Sequence, residues 1–483
     1  MDSSVEQLAS HLERPLGRGH TPDGAHTGAA GGAACGDLVR ISIALEPDGE
    51  RGLISDAGFD ASGCGASVAA GSAVVGLVRG APLLDAARIG AREIAAALGG
   101  LSPAKQHAAE LAADALHRAL GGAARADARL APCPDRTLVA MSGGVDSAVA
   151  ALLLAEAGQQ TVAVTLELWS DAENDGERSC CSAQAVRGAR ELAHGLGMAH
   201  LSIDLRAEFR AGVVDGWLAD HAAGLTPNPC VRCNGRVRLD AMLELADRLG
   251  SSTLATGHYA RVEDGPLLRT AADLAKDQSY VLAALAPESL ARLRFPLGDL
   301  DKARVRELAE RAGLSVARRR DSQDLCFLAG TGQRAFLERH GGLGRRPGAI
   351  VDQAGGTLGE HAGTHVYTIG QRHGLGISAA EPMYVLATDP IANTVTVGPR
   401  RELLAGGLAV RAVTLHRPAG AVDGVRVRAH GRRLACRVEG ALAPGRHERV
   451  AVTLEERAER TAPGQIACLY AGDVVVGHGT IAT

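Results

Sequence analysis

Two stretches of this chain concentrate the residue types that handle sulfur and phosphate. In Thr226-Pro227-Asn228-Pro229-Cys230-Val231-Arg232-Cys233-Asn234 a C-x-x-C follows two prolines, which impose a rigid, non-helical approach. A third cysteine stands in Asp321-Ser322-Gln323-Asp324-Leu325-Cys326-Phe327. Thiolates of depressed pKa exchange disulfides and carry persulfides, and the same groups ligate iron-sulfur clusters. Cys230, Cys233 and Cys326 are therefore candidates for a sulfur relay and, on equal terms, for three-thiolate ligation of a [4Fe-4S] cluster with one iron open. A zinc site lacks a fourth ligand at recognisable spacing. Upstream, Ser142-Gly143-Gly144-Val145-Asp146-Ser147 joins the β-branched run TLVAM to the helical pattern AVAALLLAEAG. Its glycines admit phosphate oxygens to the backbone, Ser142 and Ser147 offer hydroxyls, and the helix start adds partial positive charge. The Gly-Lys-Ser/Thr ending of a Walker loop is missing, so γ-phosphate transfer is not its natural chemistry. Asp146 suits a magnesium ion and equally suits a helix cap.

These residues need elements to hold them. At 483 residues and 46% hydrophobic content, the chain is too long for one ordinary core. After a small-residue stretch near 121–136, short strands (TLVAM, TVAVTLELW, AHLSIDL, STLATGHYA) alternate with apolar-periodic helices, which predicts an α/β doubly wound parallel sheet. Before it, two strand segments and three helical runs read as a small α+β domain. Beyond about residue 340, short strands with Gly-rich turns predict two small, mostly β domains or barrels. The expected division is 1–122, a linker at 123–135, then 136–323, 324–402 with Cys326, and 403–483.

Composition narrows the function classes. Ten cysteines in so long a chain are too dilute for a disulfide framework. The beginning MDSSVEQLAS carries no targeting pattern and no apolar run approaches a membrane span, so the chain reads as cytoplasmic without a membrane partner. Net charge is −4, yet residues 400–483 hold 13 arginines, no lysine and 8 acidic residues, a balance that suits nucleic-acid phosphates and also an ordinary solvated surface. Aromatic content is 2%, too low for base-stacking platforms of the single-strand-binding kind.

TPNPCVRCN, ATGHYARVE, KDQSYVL, FPLGDLDK, DSQDLCF, YTIGQRHGLGI and PGQIACLYAGDVVVGHG occur in that order, and on them residues 136–483 resemble the tRNA-specific 2-thiouridylase family of PP-loop ATP pyrophosphatases. The resemblance implies ATP-dependent adenylation of the C2 oxygen of wobble uridine (position 34) in tRNAs for Lys, Glu and Gln, with Mg2+. Replacement of that oxygen by sulfur then gives 2-thiouridine, AMP and pyrophosphate. It implies nucleotide contacts at Ala140, Met141, Ser142, Gly143, Gly144, Val145, Asp146, Ser147, Leu166 and Gly257. Cys326 would carry a persulfide delivered by a cysteine desulfurase or sulfur relay protein, with Cys233 as its partner. Asn228, Pro229, Cys230, His258, Lys276, Asp277, Gln278 and Gln465 would contact tRNA, and Arg428, beside Arg426 on an apparent strand, would reach phosphates. Cys230 stands where one branch of the family has an aspartate.

Residues 10–120 resemble a U-type iron-sulfur scaffold. Cys35, Asp37, Cys64 and His107 match its metal-ligand positions, Lys105 matches as well, and Ala108 replaces its third cysteine. Cys180 and Cys181 are assigned no role. The competing readings are another PP-loop ligase, and a sulfur or iron-sulfur carrier with a vestigial ATP site.

Overall fold

The computed structural model describes residues 3–31, 36–47, 51–171, 182–319, 325–328 and 330–482. Cys35, Cys180, Cys181 and the Asp321–Asp324 part of the DSQDLCF motif lie outside them.

In the N-terminal unit, His26–Gly31, Leu38–Leu45 and Ile54–Ser62 form an antiparallel sheet in that order. Alternation sends Val39, Ile41 and Ile43 inward, and the helices Gly65–Val78 and Gln106–Ala126 cover that face. The long helix runs to Ala126 and the next strand begins at Cys133. The stretch expected to be a linker from 123 is thus helix for its first turn, because Ala123 and Ala124 are buried against the core.

The central unit is a five-stranded, all-parallel sheet in the order Leu293–Arg294, Ser251–Thr256, Cys133–Ala140, Gln160–Glu167, Ala199–Asp204. The chain starts in the middle, builds out to Ala199–Asp204, then returns to build the other side. This reversal opens a crevice beyond the carboxyl ends of Cys133–Ala140 and Ser251–Thr256, the position where such sheets bind ligands.

Two β units follow. Gly348–Val351, Thr357–His361, Met383–Asp389 and Thr394–Pro399 form a four-stranded sheet. In the last unit Leu404–Leu415 pairs with both Gly445–Glu459 and Val474–Ile481, closing a barrel. Arg261–Glu263 and Leu267–Arg269, which follow the ATGHY turn, extend this barrel's sheet through Val474. The catalytic sheet and the barrel are thereby joined through backbone. No helix among the described residues is long and apolar enough to cross a membrane.

Candidate active site

The PP-loop residues converge at the crevice. Ser142 N–H donates to Ser147 Oγ at 3.1 Å, and that hydroxyl lies 3.1 Å from Gly144 O, so the two serines brace the turn. Gly257 closes the opposite side: a β-carbon there would stand 2.7 Å from the Asp146 carbonyl carbon and from Ser147 N, which leaves room for glycine alone. Ala140 ends the strand that feeds the loop, Met141 follows it, and Leu166 is half-buried near the end of the neighbouring strand.

Asp146 has partners that spacing did not disclose. Lys302 Nζ lies 2.7 and 2.9 Å from its two carboxylate oxygens, and Tyr259 Oη donates to Oδ1 at 2.8 Å. Arg319 donates to Gly143 O at 3.0 Å. Lys302 and Tyr259 lie inside quoted motifs, FPLGDLDK and ATGHYARVE, yet only the folded sheet brings them to the loop. The crevice therefore holds two cations beside a phosphate-binding turn.

The thiols are held by a separate construction. Asn228 caps a short helix by accepting from Cys230 N at 3.1 Å, and the π-helical run Cys233–Arg238 continues it. Such wide turns recur at functional sites. The run packs on a second π-helical segment, Arg210–Val214. On the flanks of that segment Phe209 and Trp217 meet Phe327 at ring separations of 5.9 and 5.3 Å, and Phe336 and Trp169 meet it at 5.1 and 6.5 Å. Both tryptophans and two of the other four phenylalanines thus anchor Phe327, the residue next to Cys326. Cys230, Cys233 and Cys326 are all free of disulfides. Burial pushes the Cys230 thiol up, opposed by the charge of Arg238. Cys436 and Cys468 are inert core thiols, pushed by burial up to about 11 and about 12.

Several residues expected to meet tRNA face inward instead. Asp277 is buried: it accepts from Ala271 N (2.9 Å), Ser279 N (3.3 Å) and Ser279 Oγ (2.7 Å) and is ion-paired with Arg426. It ties the KDQS turn to the barrel and offers RNA no free edge. Arg426 is consumed by the same pair. Its strand ends there, so Arg428 stands exposed in the following bend rather than on a strand. Pro229 is buried at the start of its helix. Gln465 donates inward to Thr226 O at 2.6 Å, and Thr226 N donates to Pro463 O at 2.9 Å, so the PGQ turn grips the approach to Cys230. Gln278 Oε1 accepts from Tyr259 N at 2.9 Å and orders the loop beside Gly257. Lys276 is half-buried. His258 is bonded to Thr256 at 2.7 Å, and burial with the Arg238 charge lowers its pKa to about 3, so the ring is neutral at physiological pH.

In the N-terminal unit Asp37, Cys64 and His107 converge, their ligand atoms all within 4.8 Å of one another. Asp37 accepts from Cys64 Sγ (3.1 Å), Cys64 N (3.0 Å) and Ser67 Oγ (2.7 Å), bonds that with His107 pull its pKa down to about 2. His107 Nδ1 lies 3.0 Å from Ala104 O and Nε2 lies 3.2 Å from Asp37. A backbone carbonyl on one ring nitrogen with the other aimed into a carboxylate-thiol cluster is how metal-binding imidazoles are oriented. The donor set fits a metal ion. Ala108 is fully buried and supplies no ligand.

Against this geometry, a family model described as the tRNA methyl transferase HUP domain matches residues 135–330, with the PRC-barrel domain of the same group at 334–399 and an aminomethyltransferase β-barrel domain at 411–481. A NifU-like N terminal domain matches residues 4–125. The "Bifunctional protein NifU/MnmA" of Rubrobacter xylanophilus is 44% identical over 99% of this chain and 98% of its own length. The "tRNA-specific 2-thiouridylase MnmA" of Thermobifida fusca is 45% identical over 72% of this chain and 95% of its own. The chain belongs to the tRNA-specific 2-thiouridylase family. A protein of the same name in Magnetococcus marinus is 42% identical over 72% of this chain and 99% of its own length. Thiouridylases of the latter two kinds are thus whole without a counterpart of the NifU-like unit. The HUP model's description speaks of methyl transfer and the relatives' names of thiolation; the cysteines Cys230, Cys233 and Cys326, none of them in a disulfide, accord with the second.

Proposed function

We propose that this thiouridylase family member activates the C2 oxygen of the wobble uridine with ATP and replaces it with sulfur. Family membership makes it a PP-loop tRNA-uridine 2-sulfurtransferase. The observation that carries the finer reading is the construction of the crevice: the braced PP-loop, Gly257 against its helix start, and Lys302 and Arg319 beside it. The loop and its cations suit the pyrophosphate of ATP, and Asp146 would hold Mg2+, which would neutralise charge on the leaving pyrophosphate. The uridine oxygen attacks the α-phosphorus, the bond to pyrophosphate breaks, and AMP remains on the base. The base must leave its stack to reach this point.

Sulfur arrives from a desulfurase or relay protein as a persulfide on Cys326. Either the terminal sulfur attacks C2, AMP leaves, and Cys233 then forms a disulfide with Cys326 that frees the 2-thiouridine, or Cys233 forms that disulfide first and the released sulfide attacks C2 and expels AMP. The aromatic cage of Phe327 suits a residue that must hold still for that exchange. Lys276, Asn228 and Arg428 are the tRNA-facing candidates that remain, for tRNAs of the Lys, Glu and Gln type.

A second reading has its own observation. The relay uses two thiols, and Cys230 is a third, held up by burial with Arg238 beside it. Three thiol donors suit a [4Fe-4S] cluster, which would deprotonate all three and supply an open iron for sulfide. Asp37, Cys64 and His107, with Cys35, would hold a metal ion or a labile [2Fe-2S] cluster in the N-terminal unit, which favours delivery to the fused enzyme over independent assembly.

The test is anaerobic purification with iron and sulfide counting, followed by thiolation of tRNA. Cys230→Ala that retains persulfide-driven activity supports the relay; loss of iron together with activity supports the cluster. Full activity in Cys326→Ala contradicts both.

A further inference from the structure

The N-terminal unit meets the parallel sheet through a matched repeat. Ala199–Asp204 is an edge strand, and an edge presents a row of unpaired backbone groups. One face of the helix Gln106–Ala126 covers that row. His117 Nδ1 lies 2.9 Å from His200 O, and Arg125 donates to Asp204 O at 2.6 Å. Between them Gly121 lies so close to Ser202 O that a β-carbon would overlap it. The helix positions are spaced by four and the strand positions by two. Four helical residues advance about 6.0 Å and two strand residues about 6.6 Å, so the repeats stay in phase over three contacts. From the other side His200 N–H donates to Ala87 O at 2.9 Å.

A second layer fixes the helix from above. Asp114 accepts from Arg187 Nε at 2.7 Å and Arg190 at 2.8 Å, with Asp114 and Arg190 both buried. Glu110 meets Arg187 at 3.2 Å and Arg118 meets Glu167 at 3.4 Å. Removing either partner of the buried Asp114–Arg190 pair would leave an uncompensated charge, so this pair opposes any other placement of the helix. The helix Ala183–Gly195 that supplies both arginines packs on Val145–Glu156, the helix begun by the PP-loop. Only residues 127–132 connect the unit to the sheet, and within them Leu130 is buried and bonded to Arg248 O at 2.8 Å.

We propose that the described residues between 3 and 126 are a fixed lobe of the thiouridylase, locked in register on the sheet edge, so that the Asp37–Cys64–His107 site serves the PP-loop unit from one place and does not swing on a tether. The surface fits one kind of partner, a scaffold whose last helix carries glycine flanked four residues away on each side by a polar side chain long enough to reach the strand carbonyls. The metal or sulfur role of the site rests on the function proposed above; the docking does not.

The test inserts a protease site between Ala131 and Pro132, both exposed, in the full chain. After cutting, the two pieces should co-elute at micromolar concentration, with the His200 amide still protected from exchange. Gly121→Val should make the cut pieces separate and should speed His200 exchange about tenfold or more before cutting, as local opening becomes easier. Arg125→Ala adds no volume and should act in the same direction more weakly, with far-UV circular dichroism of the uncut chain unchanged for both. Separation of the wild-type pieces on cutting overturns the fixed lobe. Unchanged co-elution and exchange in Gly121→Val overturn the register. Neither readout uses metal or thiolation, so failure of the functional reading would appear separately, as a docked lobe on an inactive or metal-free chain.

Discussion

Replacing Arg426 with alanine separates an arginine that builds the protein from one that meets RNA. Its side chain is 13% exposed and that of Asp277 is 0% exposed. After the change, Asp277 keeps its bonds from Ala271 and Ser279 but loses the ion pair with Arg426. Breaking a buried pair from one side costs about 3–5 kcal/mol, and the lower end applies because water reaches part of the vacated site. At a urea slope of about 2 kcal/mol per molar, a loss of about 3 kcal/mol moves the midpoint of barrel unfolding down by about 1.5 M. Urea titration followed by amide exchange in Ile466–Ala471 reads that transition. The folded fraction should bind tRNA with an unchanged salt slope. Arg428→Ala should do the reverse, with stability within about 0.5 kcal/mol of the parent and a slope of log affinity against log salt reduced by about 1. An Arg426→Ala protein of parental stability with a reduced salt slope would show that Arg426 contacts phosphate and that the burial argument is wrong.

Gly257→Ala should push the PP-loop helix start aside and lower kcat/KM for ATP about 100-fold, the usual cost of a misplacement of about 1 Å, while ATP-free tRNA affinity stays unchanged. Gln465→Ala releases the approach to Cys230, so single-turnover thiolation should slow while tRNA affinity measured by filter binding holds. His478 is held by burial at about 4. Because its folded pKa lies below the ordinary 6.5, its stabilising contribution is full above about pH 6.5 and falls as pH drops toward 4. Barrel unfolding at pH 5 should therefore cost about 2 kcal/mol less than at pH 7 from this group alone, and His478→Gln should flatten that part of the denaturation profile.

Strand-loop-helix order, Gly-Gly and the cysteine spacing made the phosphate loop and the thiols legible in the sequence, because each depends on neighbours within a few residues. The parallel sheet was legible for the same reason, through short β-branched runs alternating with periodic helices. What spacing could not carry was pairing across the fold. Lys302 on Asp146 spans 156 positions and Gln465 on Thr226 spans 239. Asp277 and Gln465 stand as RNA contacts only through the family resemblance of their motifs; the fold uses both side chains to join the barrel to the catalytic loops. In the sequence the N-terminal helix is a scaffold element beside a linker, and Gly121 carries no signal there, because its reason is the Ser202 carbonyl packed against it in the fold.

The most direct test of the central claim is a single-turnover reaction of the full chain with tRNA, ATP and a persulfide donor under anaerobic conditions, counting AMP, pyrophosphate and 2-thiouridine together. Equal yields of the three, with thiouridine abolished in Cys326→Ala, are the expected result. Thiouridine formed without AMP release, or formed at the parental rate by Cys326→Ala, would contradict it.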